Sequence, residues 1–334
     1  MRHAISGKHI LLVAPVSYQY HRLIHNQLKK LAASVTFHGD YSEGLLQAMC
    51  KRLGVFNQLN TVREQALVQK LKNSPLDIVL VFRGATLSQN FLINLKEQHA
   101  DACFILYQWD SLKNNTYEQL IPFFDYVASF DPVDCKTLDI DYLPLFYAGK
   151  GGPFRENQKN QDLVFIGAYT EERRDFVQKI ERLCTTKQIR LHTFFFIPLL
   201  AYLKLFFQGR ILPSLHFRRL EHATSMTILT QSHCVLDFHH KDQSGLTMRT
   251  IEAIALGCKL VTCNKSIRDE PFYDPACIQV IDPAHPELDL EWMQAPNATP
   301  VMNFLRLDNW LEKLINKALE TKAHKVKELS KKVG

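Results

Sequence analysis

Residues 77–84, DIVLVFRG, and residues 102–110, ACFILYQWD, decide how the first half of this chain folds. Each stretch contains an unbroken run of apolar residues instead of an alternation of apolar and polar ones, and a helix is predicted between them near 87–99. Strands that are buried on both faces have this pattern, and parallel strands need a long crossover connection. The pair therefore predicts a parallel sheet that is covered by helices.

The same alternation extends over the rest of the chain. In the first half, strands are predicted at 9–16, 34–39, 126–131 and 141–149, with helices at 20–33, 61–72 and 116–123. In the second half, strands are predicted at 162–169, 189–194, 233–239, 258–264 and 277–282, with helices at 171–185, 216–231, 244–257 and 307–322. Such alternation is typical of α/β folds, so we predict two Rossmann-like domains in tandem.

A polar, glycine-rich stretch, GKGGPFRENQKNQD at 149–162, separates the two halves. We predict a first domain at 1–150, a linker at 151–162, a second domain at 163–306, and a C-terminal helix and basic tail at 307–334. Two such domains facing each other would enclose a cleft. Ligands of these folds bind beyond the carboxyl ends of the strands, so the residues that follow each strand are the site candidates.

Charge and cysteine content limit the classes of partner. The net charge of +6 permits anionic partners, but no nucleic-acid-binding motif accompanies it, so we expect no nucleic acid partner. The eight cysteines form no CxxC pair, which favours reduced thiols in a cytoplasmic protein. The short apolar run at 9–16 is interpreted as a strand and not as a signal peptide.

One strongly apolar segment, TFFFIPLLAYLKLFF at 193–207, has two interpretations. It is shorter than the roughly 20 residues of a membrane-spanning helix. It is either a buried helix or a segment that lies on a membrane surface, with Lys204, Arg210, Arg218 and Arg219 directed toward anionic headgroups. The second interpretation, together with the basic tail, predicts peripheral association with the inner face of the cytoplasmic membrane.

The stretch HHKDQSGLTMRTIEAIALGCKLVTCN, at 239–264, carries the most specific chemistry. A helix is predicted to begin near Gly245, where backbone N–H groups can bind phosphate. Helical spacing places Gly245, Arg249 and Glu252 on one stripe that faces the cleft. Arg249 suits a diphosphate, and Glu252 suits ribose hydroxyls. The alternative is a surface ion pair between Arg249 and Glu252 that contributes little.

This stretch resembles the donor-nucleotide signature of GT-B glycosyltransferases, and its QSGLTMRTIEA segment is similar to bacterial lipopolysaccharide or capsule glycosyltransferases. The segments FYDPACIQVID, at 272–282, and QWDS, at 108–111, are part of the same resemblance. Glu252 matches the family glutamate that holds the ribose. Ser244 stands where retaining families carry another glutamate, which leaves the donor sugar and the stereochemistry open.

The resemblance implies transfer of a sugar from a nucleotide-sugar donor to a cell-surface glycan, that is, lipopolysaccharide, capsule or a related glycan. We expect no cofactor and no metal, because the leaving diphosphate would be stabilised by the helix start and by Arg249. Two alternatives remain: a sugar-nucleotide epimerase of the same fold, and a non-catalytic protein that binds nucleotide-sugars.

The other site candidates follow predicted strands. Asp110 is the candidate catalytic base, with helix capping as its alternative role, and His21 is the competing base. The remaining candidate donor contacts are Gly167, Tyr169, Arg173, His239, Lys241, Gln243, Ser244, Leu246 and Thr247. The DID triplet at 139–141 resembles a metal-binding motif, but we interpret it as structural.

Overall fold

The computed structural model describes residues 4–16, 19–42, 52, 55–149, 160–210, 213–239, 243–296 and 302–333. The chain divides into two compact units. Unit 1 comprises Met1–Pro144 and Leu307–Gly334, and unit 2 comprises Leu145–Arg306. Each unit contains a six-stranded sheet whose strands are all parallel, which confirms the predicted α/β class.

Unit 1 has strand order β2-β1-β3-β4-β5-β6. Its strands are β1 (His9–Val16), β2 (Ser34–Ser42), β3 (Ile78–Phe82), β4 (Cys103–Gln108), β5 (Tyr126–Ser129) and β6 (Asp141–Tyr142). Its first helices are α1 (Tyr20–Lys29), α2 (Phe56–Leu71), α3 (Gln89–Gln98) and α4 (Pro132–Leu138), with a 3-10 helix at Glu118–Phe123. Every residue of β3 and β4 is buried, as their apolar runs predicted.

Unit 2 has strand order β12-β11-β10-β7-β8-β9. Its strands are β7 (Gln161–Ala168), β8 (Leu191–Phe196), β9 (Leu215–His216), β10 (Ser232–Asp237), β11 (Lys259–Thr262) and β12 (Ile278–Val280). Its helices are α5 (Glu171–Lys187), α6 (Leu199–Phe207), α7 (His222–Thr230), α8 (Met248–Ala255) and α9 (Leu290–Gln294), with 3-10 helices at Lys265–Asp269 and Asn303–Leu305.

The last helix, α10 (Leu307–Val333), completes unit 1. The indole N–H of Trp310 donates to the Pro144 carbonyl at 2.8 Å, and the ring packs edge-on against Tyr107 at a centroid distance of 4.7 Å. Lys322 Nζ donates to the Ala102 carbonyl at 2.6 Å, and Lys325 Nζ to the Asp125 carbonyl at 2.9 Å. The helix predicted at 307–322 is therefore too short, and part of the predicted basic tail binds unit 1.

Two other predicted elements differ from the structure. The helix predicted at 216–231 begins only at α7, because Leu215 and His216 pair with the end of β8 as the edge strand β9. The strand predicted at 141–149 ends at Tyr142, where Pro144, which has no N–H, follows shortly. Of the linker predicted at 151–162, residues 151–159 lie outside the described residues, and its last two residues begin β7.

Each sheet has one point at which the chain reverses its direction of travel across the strands. In unit 1 this switch point lies between β1 and β3, and in unit 2 it lies between β7 and β10. In open parallel sheets, the loops that leave the carboxyl ends of such neighbouring strands diverge and leave a crevice for ligands. The candidate site residues are therefore best judged by their position relative to these two points.

Candidate functional site

The last residue of β10 fixes the first turn of α8 at the switch point of unit 2. Thr247 is the N-cap residue, and its hydroxyl accepts a hydrogen bond from the backbone N–H of Thr250 at 3.1 Å. The hydroxyls of Thr247 and Thr250 donate to the two carboxylate oxygens of Asp237 at 3.0 and 2.8 Å. The helix therefore begins at Met248. The prediction of a start near Gly245 was wrong, and Gly245 does not share a helical stripe with the residues that follow.

The loop before α8 is held from the neighbouring strand. Asn264, two residues after β11, donates through Nδ2 to the carbonyl oxygens of Ser244 and Gly245 at 3.1 and 3.2 Å. The hydroxyl of Ser266 donates to the same Ser244 carbonyl at 2.7 Å. These two polar residues hold the candidate loop in place, and the sequence analysis missed them. Their position directly after a buried strand was the signal that could have identified them.

Glu252 is buried and contacts the side chains of His222 and Arg249. Its carboxylate oxygens lie 3.1 Å from His222 Nε2 and 3.2 Å from Arg249 Nη1, and only 2 % of its side chain is exposed. The sequence predicted an open stripe or an exposed ion pair, and both interpretations miss this burial. A buried carboxylate is desolvated, so its partners matter far more than those of a surface pair. His222, thirty positions earlier, gave no signal in the sequence.

Arg249 keeps an unused donor. Within the part of the chain that the structure describes, its buried Nε atom has no hydrogen-bond partner. A buried guanidinium N–H without an acceptor is unfavourable, so a ligand oxygen at this position would be stabilising. Arg249 lies in the first turn of α8, next to the switch point of unit 2.

Arg173 spans the same switch point. Its Nη1 atom donates to the Ala168 carbonyl, at the end of β7, at 3.1 Å, and its Nε atom donates to the Phe238 carbonyl, just after β10, at 3.3 Å. Its own backbone N–H is capped by Thr170 at 3.2 Å. The guanidinium predicted as a donor contact thus lies at the edge of the sheet where a ligand is expected.

The other candidates in this unit differ in their surroundings. A Cβ atom at Gly167 would come within 2.8 Å of the Phe165 ring, so a side chain there would displace that ring inside the unit. The backbone N–H of Tyr169 donates to Phe196 at 2.7 Å, and burial raises the pKa of its hydroxyl.

His239 and its neighbours follow β10. The imidazole of His239 lies beside the Phe238 ring at a centroid distance of 6.4 Å. Gln243 and Ser244 are half-buried, and Leu246 is fully buried. Lys241, predicted as a phosphate contact, lies outside the described residues.

A left-handed backbone turn marks the switch point of unit 1. Arg83 and Gly84, directly after β3, have φ angles of 70° and 67°. Such a conformation is costly for an arginine, and surrounding bonds must hold it. The Arg83 carbonyl accepts from Gln108 Nε2 at 2.7 Å and from Asn115 Nδ2 at 3.1 Å. Backbone strain of this kind is common at functional sites.

Asp110 pairs with this arginine. Its carboxylate lies 2.8 Å from Arg83 Nε, and its side chain is 29 % exposed. The next assigned helix, the 3-10 helix Glu118–Phe123, has Tyr117 and not Asp110 as its N-cap residue. The competing base, His21, is 9 % exposed in the first turn of α1 and stacks on Phe37 at 5.6 Å. Asp110 is therefore the more accessible of the two candidate bases.

Two buried carboxylates organise the loop that follows the left-handed turn. Asp40, near the end of β2, accepts the backbone N–H groups of Ala85 and Thr86 at 2.9 Å each, and burial raises its pKa. Glu64 accepts the Ser88 N–H and hydroxyl at 3.0 and 2.6 Å. Both residues position the segment after β3, and neither was identified from the sequence.

The DID triplet has structural roles. Asp139 is the left-handed C-cap residue of α4, and Asp141 accepts a hydrogen bond from the Tyr126 hydroxyl at 2.8 Å. Among the residues that the structure describes, no group of three or more metal-ligating side chains comes together.

Comparison with solved structures identifies the fold. AviGT4, a glycosyltransferase involved in avilamycin A biosynthesis, superimposes with a TM-score of 0.50 at 12 % identity over 95 % of this chain and 97 % of its own. The UDP-GlcNAc 2-epimerase of Neisseria meningitidis, bound to UDP-GlcNAc, gives 0.51 at 12 % over 93 % and 99 %. This chain has the GT-B fold. No protein-family model matches the chain, and no curated protein matches it in sequence.

Proposed function

We propose that this chain is a glycosyltransferase that moves a sugar from a nucleotide-sugar donor to a cell-surface glycan, such as lipopolysaccharide or capsule. The observation that carries the proposal is the Nε–H of Arg249, which is buried at the switch point of unit 2 and has no hydrogen-bond partner among the described residues. The GT-B fold supports it, since AviGT4 is a glycosyltransferase and the Neisseria epimerase holds a nucleotide-sugar.

In this proposal, arginine side chains neutralise most of the negative charge of the donor diphosphate. The N-terminus of α8 offers backbone N–H groups and the positive end of its dipole. Asp237 already places a carboxylate beneath that first turn, which offsets part of the dipole. The guanidinium of Arg249, with Arg173 across the switch point, supplies the positive charge that the leaving diphosphate needs.

Glu252 would bind the ribose. Its two carboxylate oxygens lie 3.1 Å from His222 Nε2 and 3.2 Å from Arg249 Nη1, and a carboxylate is an acceptor to which ribose hydroxyls can donate. His222 and Arg249 fix the carboxylate in one orientation. The loop at 243–247, held by Asn264 and Ser266, would contact the diphosphate and the sugar.

Asp110 would act as the base that takes the proton of the acceptor hydroxyl. Its carboxylate lies 2.8 Å from Arg83 Nε and is partly exposed, whereas His21 is buried against an aromatic ring. An ionised, accessible carboxylate is the form that general-base catalysis requires. The acceptor would be lipid-linked, which places the enzyme at the inner face of the cytoplasmic membrane.

The test is nucleotide release from UDP-, GDP-, ADP- and CMP-sugars, with and without a glycan acceptor. Release that an acceptor stimulates supports transfer. Interconversion of donors without an acceptor supports the epimerase. That reaction would need several carboxylates and histidines around the sugar, and Ser244 replaces one of them. Binding without turnover would identify a non-catalytic protein.

The Arg249→Gln variant tests whether the side chain of Arg249 binds the donor diphosphate. A hydrogen bond to a charged group contributes about 1.5–3 kcal/mol, so affinity for the nucleoside diphosphate should fall by about tenfold to a hundredfold. Glu252→Gln should lower the affinity for the whole nucleotide but leave the affinity for inorganic diphosphate unchanged. Matched controls are Arg182→Gln and Glu291→Gln, on exposed faces of α5 and α9. Calorimetric titration that finds all four variants alike would remove the support for this site.

A further inference from the structure

Helix α6 exposes five of its eight apolar side chains. Of its nine residues, Leu205 is the buried one, whereas Leu200, Phe206 and Phe207 are 71 %, 57 % and 82 % exposed. We define the α6 face as these three exposed residues together with Leu199, Leu203 and Phe217, which are each at least one third exposed. A contiguous apolar patch on a protein surface usually marks a binding surface.

The topology of unit 2 places this helix at the carboxyl edge of the sheet. The short strand β9 pairs with the last two residues of β8, so the crossover between them begins and ends at the carboxyl edge of the sheet. Arg210, just beyond α6, forms an ion pair of 2.8 Å with Glu171, the first residue of α5. Both ends of α6 therefore lie at this edge, where Leu205, Ala201 and Tyr202 pack against the core of the unit.

The chain segment that carries the α6 face is basic, although one of its arginines, Arg210, pairs with Glu171 of α5. Residues 199–219 contain four basic residues and no acidic residue. The guanidinium of Arg218 lies 5.9 Å from the Phe217 ring, and that of Arg219 lies 4.4 Å from the Phe196 ring. Apolar side chains with a basic rim match the boundary of an anionic bilayer, where acyl chains take the apolar groups and headgroups pair with the cations.

We propose that the α6 face is the membrane-binding surface of this protein and inserts into the headgroup boundary of an anionic bilayer. The inference deepens the proposed function and rests on it for the lipid-linked acceptor. It also locates the contact. The carboxyl edge that carries α6 is the edge of unit 2 at which β7 and β10 end. Lys322 and Lys325 of the basic tail are instead bound to carbonyl groups of unit 1.

The test is co-sedimentation of the full chain with vesicles of phosphatidylcholine containing 30 % phosphatidylglycerol, and with vesicles of phosphatidylcholine alone. The chain should bind the anionic vesicles, and the F206S/F207S variant should bind them at least tenfold more weakly. In K204Q/R218Q, the affinity for anionic vesicles should fall by about fivefold for each charge removed, and binding to the neutral vesicles should not change. The matched control is V62S/V326S, which replaces two exposed apolar residues of unit 1.

Several results would overturn this inference. They are absence of binding to anionic vesicles, equal binding by F206S/F207S, equal binding to both kinds of vesicle, and a dimer in sedimentation equilibrium that F206S/F207S abolishes without any vesicle binding. Nucleotide release, measured without vesicles, separates the two hypotheses. F206S/F207S should retain that activity, whereas failure of the proposed function would abolish turnover in every variant and leave vesicle binding intact.

Discussion

At the scale of single residues, burial changes what a substitution at Glu252 reports. An alanine there would remove the buried carboxylate that His222 and Arg249 contact, and breaking a buried pair in this way costs about 3–5 kcal/mol. Lost donor affinity would then be confounded with lost folding. Glutamine keeps the shape and one acceptor oxygen, so it is the sharper probe of ribose binding.

His38 gives a prediction about stability and pH. Burial, followed by the nearby charge of Arg63, lowers the pKa of His38 from 6.5 to about 4. Between these pH values the unfolded chain binds a proton at this histidine and the folded chain does not. Stability therefore falls as pH falls through this window, by about 3 kcal/mol in total.

His38→Gln should flatten that part of the curve of unfolding free energy against pH, as measured by urea denaturation at pH 7, 6, 5 and 4. The slope is the readout, because loss of the stacking on Phe91 lowers stability at every pH. His285→Gln, at an exposed position, is the control and should keep the slope. A slope that His38→Gln leaves unchanged would contradict the assignment.

At the scale of elements, the start of α8 joins stability to donor binding. Thr247→Ala removes the N-cap and one hydrogen bond to Asp237, so we expect a loss of about 1–2 kcal/mol in unfolding free energy. Because the same turn is the proposed diphosphate site, nucleotide affinity should also fall. Asp289→Ala removes the N-cap of α9 and should lower stability alone. Equal nucleotide affinity in the two variants would contradict the placement of the diphosphate site at the start of α8.

The sequence predicts buried elements well and edge elements poorly. β3 and β4 were found because uninterrupted apolar runs allow few other structures. The start of α8 was misplaced by three residues, because the capping hydroxyl of Thr247 takes its orientation from Asp237, ten positions earlier. β9 was missed because a strand of two residues is too short to show a hydrophobic periodicity in the sequence.

The candidate site shows the same limit. Arg249 and Glu252 could be found from their spacing, but their burial could not, since it depends on His222 from another helix. The ion pair between Arg83 and Asp110 joins the ends of two strands, and only the order of the strands brings those ends together. Local pattern identifies the residues, whereas their partners depend on topology.

At the scale of the whole molecule, the C-terminal helix shows how distant segments complete a fold. α10 follows unit 2 in the chain but packs in unit 1, where Trp310 is fully buried beside Phe82 and Tyr107. Its lysines were counted as a basic tail from composition alone. Two of them bind backbone carbonyls, so net charge overstates the positive surface that this helix presents to a partner.

The cysteines give a prediction for the whole chain. Seven of the eight are free and buried, and burial raises the thiol pKa to about 12 in Cys103 and Cys263 and to about 11 in Cys184. Thiolate is the reactive form, so these seven should react with a disulfide reagent only after unfolding. Cys50 lies outside the described residues. The native protein should therefore have at most one thiol that reacts rapidly with the reagent. The Cys50→Ser variant should have none in the native state, and all seven of its thiols should react in urea. Two or more fast thiols in that variant would mean that the cores of the units open readily, in conflict with the packing that positions the candidate site.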